Sequence, residues 1–504
     1  MTIAINGDDL TFDQLFDIAL GSAEVGLAPS ARERMNASRA VIDRLVESGQ
    51  VAYGVNTGFG KLASVRISND QIRQLQTNLV RSHASGVGPP LSEPETRAMM
   101  LLRANAIAKG YSGIRAAAAD TICAMLNRRV HPVIPSQGSV GASGDLAPLA
   151  HLAQVMIGEG QANYQGKILP GGEAMKLVSI PPLVLEAKEG LALLNGTQAM
   201  LSLSSLALRT ADILVDSADV AAALTLDAMR GTPTAFDERI ASVRPYPGHF
   251  VTARNLSRLI RGSEIRESHR NPTQDPRVQD AYSLRCTPQV HGAVRDALTQ
   301  IRATLSIELN SATDNPLVFA ETGDVLSGGN FHGQPLAMAA DQLAVAIATL
   351  AGISERRTEQ LTNPLTSGLP PFLVKEAGLN SGFMMLQIVA AALASETKAF
   401  AMPHSIDSIS TSGNQEDYVS MGMGAARRLR PMLENLENIV SIELLSASQG
   451  IDFLAPLKTG IEARKALALV RGVSEFVDAD RSLAPDIARV RDLVAGAKFA
   501  ALVR

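Results

Sequence analysis

Apolar residues recur at helical spacing through most of this chain. Between residues 336 and 353 the larger ones stand at Leu336, Ala340, Leu343, Ile347 and Leu350, one stripe of a helix. The Ala-rich remainder of that stretch lets neighbouring helices approach closely. Residues 114–129, 198–209 and 384–400 are similarly rich in Ala, Leu and Met, good helix formers with few β-branched runs. Strand patterns are short: 164–169 before Pro170, and Leu317–Phe319 with Val325-Leu326 across a Glu321-Thr322-Gly323-Asp324 turn. The pattern predicts a mostly α protein with minor hairpins.

The 336–353 stretch is long enough to span a bilayer, but Asp341 and Gln342 lie within it and Ser354-Glu355-Arg356-Arg357 follow it. A helix buried inside a soluble bundle is the expected outcome. Gly and Pro gather at 54–60, 85–94, 132–148, 231–248, 271–277, 363–382 and 403–413, the loops in which function is to be sought. No repeat, low-complexity tract or flexible linker separates domains. The 504 residues therefore read as one unit rather than the roughly three that length alone suggests. Within it, residues 1–200 hold the loop at 132–148 and residues 201–504 a central helical bundle and C-terminal helices.

Composition narrows the function. Lys and Arg number 46 against 50 Asp and Glu, so no basic field is present to hold nucleic acid or an anionic membrane. Cys123 and Cys286 are too few for a disulfide framework or a four-cysteine zinc site. The opening MTIAINGDDLTF lacks a secretory pattern, which points to the cytoplasm. None of the histidines has HExxH-type spacing. Gly58-Phe59-Gly60-Lys61 fails as a phosphate loop because Val55 and Leu62 stand where Gly and Ser or Thr belong. Asp145 occupies the last glycine position of a nucleophile elbow at 141–145. A small-molecule substrate remains.

The segment from Pro135 to His151 reads PSQGSVGASGDLAPLAH. One reading is a flexible turn that starts a helix, with Asp145 near its N-terminus. A chemical reading is also open. A tight bend at Ala142-Ser143-Gly144 brings the Gly144 amide nitrogen onto the Ala142 carbonyl carbon, and glycine reaches such a backbone at low steric cost. Ring closure and loss of water from Ser143 leave a methylene conjugated to an imidazolone, a strong electrophile.

GSVGASGDLAPLAH resembles the signature of the aromatic amino acid ammonia-lyase family, whose members make a methylidene-imidazolone (MIO) prosthetic group from this triplet. Other stretches resemble further family motifs, in family order. They are YGVNTGFG at 53–60, LALLNGTQ at 191–198, QDAYSLRC at 279–286, GNFHG at 329–333 and NQED at 414–417. The resemblance covers essentially the whole chain. It implies the long-helix bundle of the fumarase and ammonia-lyase type, with active-site loops. It also implies a homotetramer whose sites are shared between subunits, and neither metal nor external cofactor.

Ser82-His83 and Glu416 resemble the histidine branch of the family. Phenylalanine enzymes tend to carry Phe-Leu at the first place and tyrosine enzymes His-Leu, and both usually carry Gln at the second. An imidazole substrate offers a donor and a ring nitrogen, which a carboxylate and a second imidazole match. The resemblance thus implies elimination of ammonia from L-histidine to give trans-urocanate, with a phenylalanine or tyrosine ammonia-lyase or aminomutase as the alternative. Beside Glu416, Tyr418 stands where that branch usually has His, and Gly413 where it has Ala.

The remaining roles follow from the same resemblance. Tyr53 is the base for the β-proton, with Tyr282 assisting, and a tyrosine needs nearby positive charge or donors to serve as one. Arg285 grips the substrate carboxylate with two parallel bonds. Asn195 bonds the prosthetic group or the bound amine. Gln279 and Phe331 complete the pocket, although a Phe in that position serves equally well as core. Asp145 assists dehydration at Ser143 or caps a helix. A helical lyase of the fumarase type would carry a GSSxMPxKxN-like loop, which is absent here, and an unmodified triplet would mark a non-catalytic scaffold.

Overall fold

The computed structural model describes residues 2–58, 60–62, 64–271 and 277–504. Helices dominate, as the periodicity predicts. Met384–Phe400 is a helix over the whole of its apolar run, and Ala116–Asn127 lies inside the 114–129 stretch. The 336–353 pattern belongs to a longer helix, Gln334–Thr362, in which Leu336, Ala340, Leu343, Ile347 and Leu350 are all buried. By length and composition this helix could cross a membrane. Its apolar stripe is instead covered by protein, as in a core helix.

The helix at 198 runs on to Ala228, well past 209. Its continuation is masked in the sequence by Asp216, Asp219 and Asp227, which are buried and paired rather than solvated. Buried acids interrupt the apolar rhythm on which periodicity depends.

The chain forms two compact units, each assembled from three separated stretches. The first comprises residues 1–206, 302–341 and 403–427, the second 207–301, 342–402 and 428–504. Among the described residues, all the strands lie in the first. Both predicted hairpins are present there: Gln161–Tyr164 pairs with Lys167–Pro170 around Gln165-Gly166, and Leu317–Phe319 with Asp324–Leu326, Val318 opposite Val325. A parallel pair, Thr2–Ile5 with Glu24–Leu27, and an antiparallel pair, Val87–Pro90 with Pro135–Gln137, are too short to read from sequence. A cluster of Val41, Ile42, Val55, Ile72, Ala187 and Val318 packs beneath the loop that carries Tyr53. Val55 belongs to that loop, so core packing anchors it.

In the second unit the interior is partly ionic. Glu443 accepts from Arg357 Nε at 2.5 Å and Nη2 at 2.9 Å, from Thr225 Oγ1 at 2.9 Å and from Ser354 Oγ at 2.6 Å. His291 donates from Nδ1 to Asp219 at 2.7 Å and accepts from Arg357 at Nε2, which makes it a neutral imidazole. Burial holds its pKa below the usual histidine value, and the Asp219 bond opposes that. Removing one member of a buried pair strands the other charge, at about 3–5 kcal/mol. Glu443→Gln should therefore lower the urea midpoint sharply, while Arg357→Met with Glu443→Gln recovers most of the loss. Equal midpoints for the single variant and the parent chain would contradict this.

Candidate active site

Three backbone arrangements within the first unit build the site. The loop at Tyr53 is shaped by the side chains that follow it. Asn56 Nδ2 donates to Gln50 O at 2.9 Å while Asn56 Oδ1 accepts the Ala52 amide at 3.0 Å, and Thr57 Oγ1 accepts from Gly54 N at 3.3 Å. Gly54 sits at φ +71, and a Cβ there would lie 2.4 Å from Leu191 Cδ2. The polar and glycine positions of the motif thus fold the loop and leave Tyr53 on a cavity wall.

The second arrangement presses two loops together. Gly144 takes φ +74, the Asp145 amide donates to Gly196 O at 2.6 Å, and a Cβ at residue 144 would meet that oxygen at 2.1 Å. Only glycine fits. The third arrangement is a turn in which Ser412, Gly413 and Asn414 have φ of +52, +60 and +64. It lets Thr411 and Glu416 exchange backbone bonds of 3.0 and 3.4 Å. A left-handed turn gives a physical reason for Gly at 413.

Between these loops lies a cavity of about 610 Å³. Of the residues expected from sequence, Tyr53, His83, Ala142, Ser143, Asn195, Phe331 and Glu416 line it. Phe331 is thus wall rather than core. Leu79, Leu146, Leu191 and Leu194 add apolar surface. Gln279, Tyr282 and Arg285 are not among its lining residues and belong to the second unit. There Tyr282 is 70% exposed with the Arg285 guanidinium 4.5 Å from its ring centroid, and Arg285 Nε is buried without a partner among the described residues.

The charges in the cavity are ordered by hydrogen bonds. His83 ends the helix Ile72–His83, and its Nδ1 bonds to Leu79 O at 2.9 Å. A carbonyl accepts only, so Nδ1 carries the proton and Nε2 is left an acceptor. Burial lowers the His83 pKa, opposed by the Leu79 carbonyl and Glu416, and the ring is neutral at pH 7. Glu416 Oε1 accepts from Ser143 Oγ at 3.3 Å and Oε2 from Thr411 Oγ1 at 2.7 Å. Tyr53 is pushed above the usual phenol value by burial and by the charges of Glu416 and Asp314. The Gly60 amide, 3.4 Å from its oxygen, works the other way. These surroundings keep Tyr53 a phenol.

Asp145 stands before the helix Leu146–Met156 without capping it. Its side chain reaches the first turn of the helix Gln198–Ala228 instead, where Oδ2 accepts the Met200 amide at 2.8 Å, while Oδ1 accepts from Ser139 Oγ at 3.2 Å. Asn195 Nδ2 donates to Asn315 O at 3.0 Å, which leaves its buried Oδ1 without a partner among the described residues. Sequence reasoning missed Asn315, signalled only by an Asn-Pro step. It also missed His332, whose Nε2 donates to Tyr418 O at 3.3 Å and whose ring stacks on that of Tyr418 at 6.2 Å.

The sequence profile of the aromatic amino acid lyases matches residues 10–472. The chain belongs to this family. It is 54% identical to a histidine ammonia-lyase of Koribacter versatilis over 99% of both chains. In three dimensions it matches the crystal structure of histidine ammonia-lyase from Trypanosoma cruzi with a TM-score of 0.92. That pair is 43% identical and covers 100% of this chain and 95% of the other. Tyrosine aminomutase from Streptomyces globisporus superimposes with a TM-score of 0.95 at 36% identity, over 100% and 98% of the two chains. An ammonia-lyase and an aminomutase therefore share this frame, and lining residues must distinguish their activities.

Burial raises the Asp145 carboxyl from 3.8 to about 7, against the pull of Met200 N, Ser139 and Ala199 N and with help from the Glu308 charge. Folding therefore takes up a proton between those pH values. The associated stability is full below 3.8 and is lost as pH rises through about 7. Asp145→Asn, which ionises in neither state, should flatten that slope. Melting temperatures from pH 4 to 8 check this: the parent chain should lose stability relative to the variant across the window, and parallel curves would contradict it.

Proposed function

We propose that this chain is a carbon–nitrogen lyase that eliminates ammonia from L-histidine to give trans-urocanate, in the cytoplasm. The observation that carries the choice of substrate is that His83 and Glu416 line the same cavity as Ser143, whose Oγ lies 3.3 Å from Glu416 Oε1. His83 Nε2 is an acceptor and Glu416 a carboxylate, so either can accept the N–H of a substrate imidazole. The identity to histidine ammonia-lyases over the full chain supports the same reading. The alternative, a tyrosine or phenylalanine ammonia-lyase or aminomutase, is favoured by the shared frame alone.

The residues present fit the prosthetic group that this reading requires. Ala142, Ser143 and Gly144 would form and hold it, with Gly144 left-handed against Gly196 in a cradle that a Cβ would fill. Asn195 Oδ1, buried and unpartnered, offers an acceptor beside it. The methylidene-imidazolone supplies an electrophile that makes an amine nitrogen a better leaving group. The chain does the rest. His83 and Glu416 orient the ring, while Phe331 and the four leucines exclude water. Tyr53 takes up the β-proton at its phenol oxygen once positive charge or donors beyond Gly60 favour the phenolate. Arg285 binds the substrate carboxylate, with Gln279 and Tyr282 beside it, in a homotetramer of single 504-residue units whose sites are shared. The exposure of Tyr282 and its absence from the cavity lining support sharing between copies.

Purified protein incubated separately with L-His, L-Phe and L-Tyr should yield only urocanate absorbance, and cinnamate without urocanate would overturn the assignment. The peptide around Ser143 should be lighter by two waters, and Ser143→Ala should abolish turnover with an unchanged fold. Glu416→Gln should cut kcat/KM for histidine by about ten- to a hundredfold, the worth of one charge-assisted hydrogen bond. Unchanged histidine kinetics in that variant would remove Glu416 from its role.

A further inference from the structure

Asn195 is held from two sides by buried charge. On its backbone side, Arg103 is fully buried in the helix Glu93–Ala108, and Nη1 donates to Asn195 O and to Gln198 Oε1, both at 2.8 Å. On its side-chain side, Lys188 Nζ donates to Asp314 Oδ2 at 2.8 Å, and Asp314 Oδ1 accepts the Asn315 amide at 2.7 Å. Asn315 O is in turn the acceptor that fixes Asn195 Nδ2. The consequence is geometric. With backbone and amide nitrogen both fixed, the unpartnered Oδ1 has a single orientation.

Stability alone does not account for these charges. No carboxylate hydrogen-bonds Arg103 among the described residues, its Nε is an orphan, and burial lowers its pKa to about 10 against the attraction of Asp314. Lys188, also fully buried, is lowered by burial and by Arg103, and it sits at φ +72, a backbone uncommon outside glycine. Two cations thus share one carboxylate in the interior. Apolar side chains of similar volume would be at least as stable there. Strain and uncompensated charge of this kind persist where they serve a site.

We propose that Arg103 and the Lys188–Asp314 pair are positioning residues, a two-sided clamp that fixes the orientation of the Asn195 amide in the cavity wall. The inference rests on the lyase reading of that cavity. It assigns the charges no contact with substrate; they act through Asn195.

A double-mutant cycle separates positioning from bulk stability. Lys188→Met should lower kcat for histidine by about ten- to a hundredfold, the effect of misplacing a reacting-site group, with KM changed far less. In an Asn195→Ala background the same substitution should change kcat by less than about twofold, because its target is gone. Arg103→Lys, which keeps the charge and shortens the reach, provides a second cycle should Lys188→Met fold poorly. The peptide around Ser143 should keep its two-water deficit in all variants. Equal losses of kcat in both backgrounds, or loss of the mass deficit in Lys188→Met, would overturn the clamp while leaving the lyase reading intact. Asn195→Ala with unaltered kcat would likewise overturn the clamp alone, whereas a parent chain without histidine turnover would overturn both.

Discussion

The close approach of the Gly144–Asp145 backbone to the carbonyl of Gly196 is the contact on which the first unit turns. Its 2.6 Å bond ties a loop before one helix to the turn before another, and neither glycine position tolerates a side chain. Once that bond is made, several groups fall into place without further choice. Asn195 precedes Gly196, so its amide faces the triplet's cavity. The helix Gln198–Ala228 begins two residues later, so its first free amides are where the Asp145 carboxyl arrives. Helix N-termini favour anions, yet full burial outweighs that and leaves the acid poised near neutrality.

Buried charge serves different ends in the two units. In the second, Arg357 and Glu443 meet with every strong donor answered, and His291 is wedged between Asp219 and Arg357 as a neutral ring. Such a network fixes which helices lie side by side. In the first, Arg103 and Lys188 are under-compensated, and their bonds converge on the turns that carry Asn195 and Asn315 at the cavity. The same chemistry gives registry in one place and aim in the other.

The helices were legible where burial follows hydrophobicity, as at Leu336, Ala340, Leu343, Ile347 and Leu350 of Gln334–Thr362, and became illegible where acids were buried with partners, as beyond residue 209. Both hairpins announced themselves by Gly in short alternating runs, whereas the parallel pair Thr2–Ile5 with Glu24–Leu27 carries four residues a strand and no turn signal. At the site, motif resemblance picked out residues that line the cavity in the first unit, from Tyr53 to Glu416. Arg103 and Lys188 escaped because a charged residue inside an apolar run reads as a solvated face. The runs MMLLRANAIA around Arg103 and EAKEGLALL around Lys188 hold the only trace, a charge where helical spacing demands apolar side chains. The direction of the Asp145 side chain was beyond sequence, since its own helix was the nearer candidate for capping.

The order in which the chain is made bears on when the site can exist. Tyr53 and Ser143 emerge early, but Glu416 and Tyr418, which complete the cavity lining, lie in the last stretch of a unit whose middle is interrupted by residues 207–301 and 342–402. A nascent chain can bring Gly144 to Gly196 by residue 206, yet it cannot enclose the triplet until more than four-fifths of its length has been synthesised. Non-local closure of this kind is slow and comes late. Enclosure of the bend at Ala142-Ser143-Gly144 therefore waits for the last fifth of the chain. On the lyase reading proposed above, a ring built from that triplet would gain its shelter only after synthesis, with its own clock.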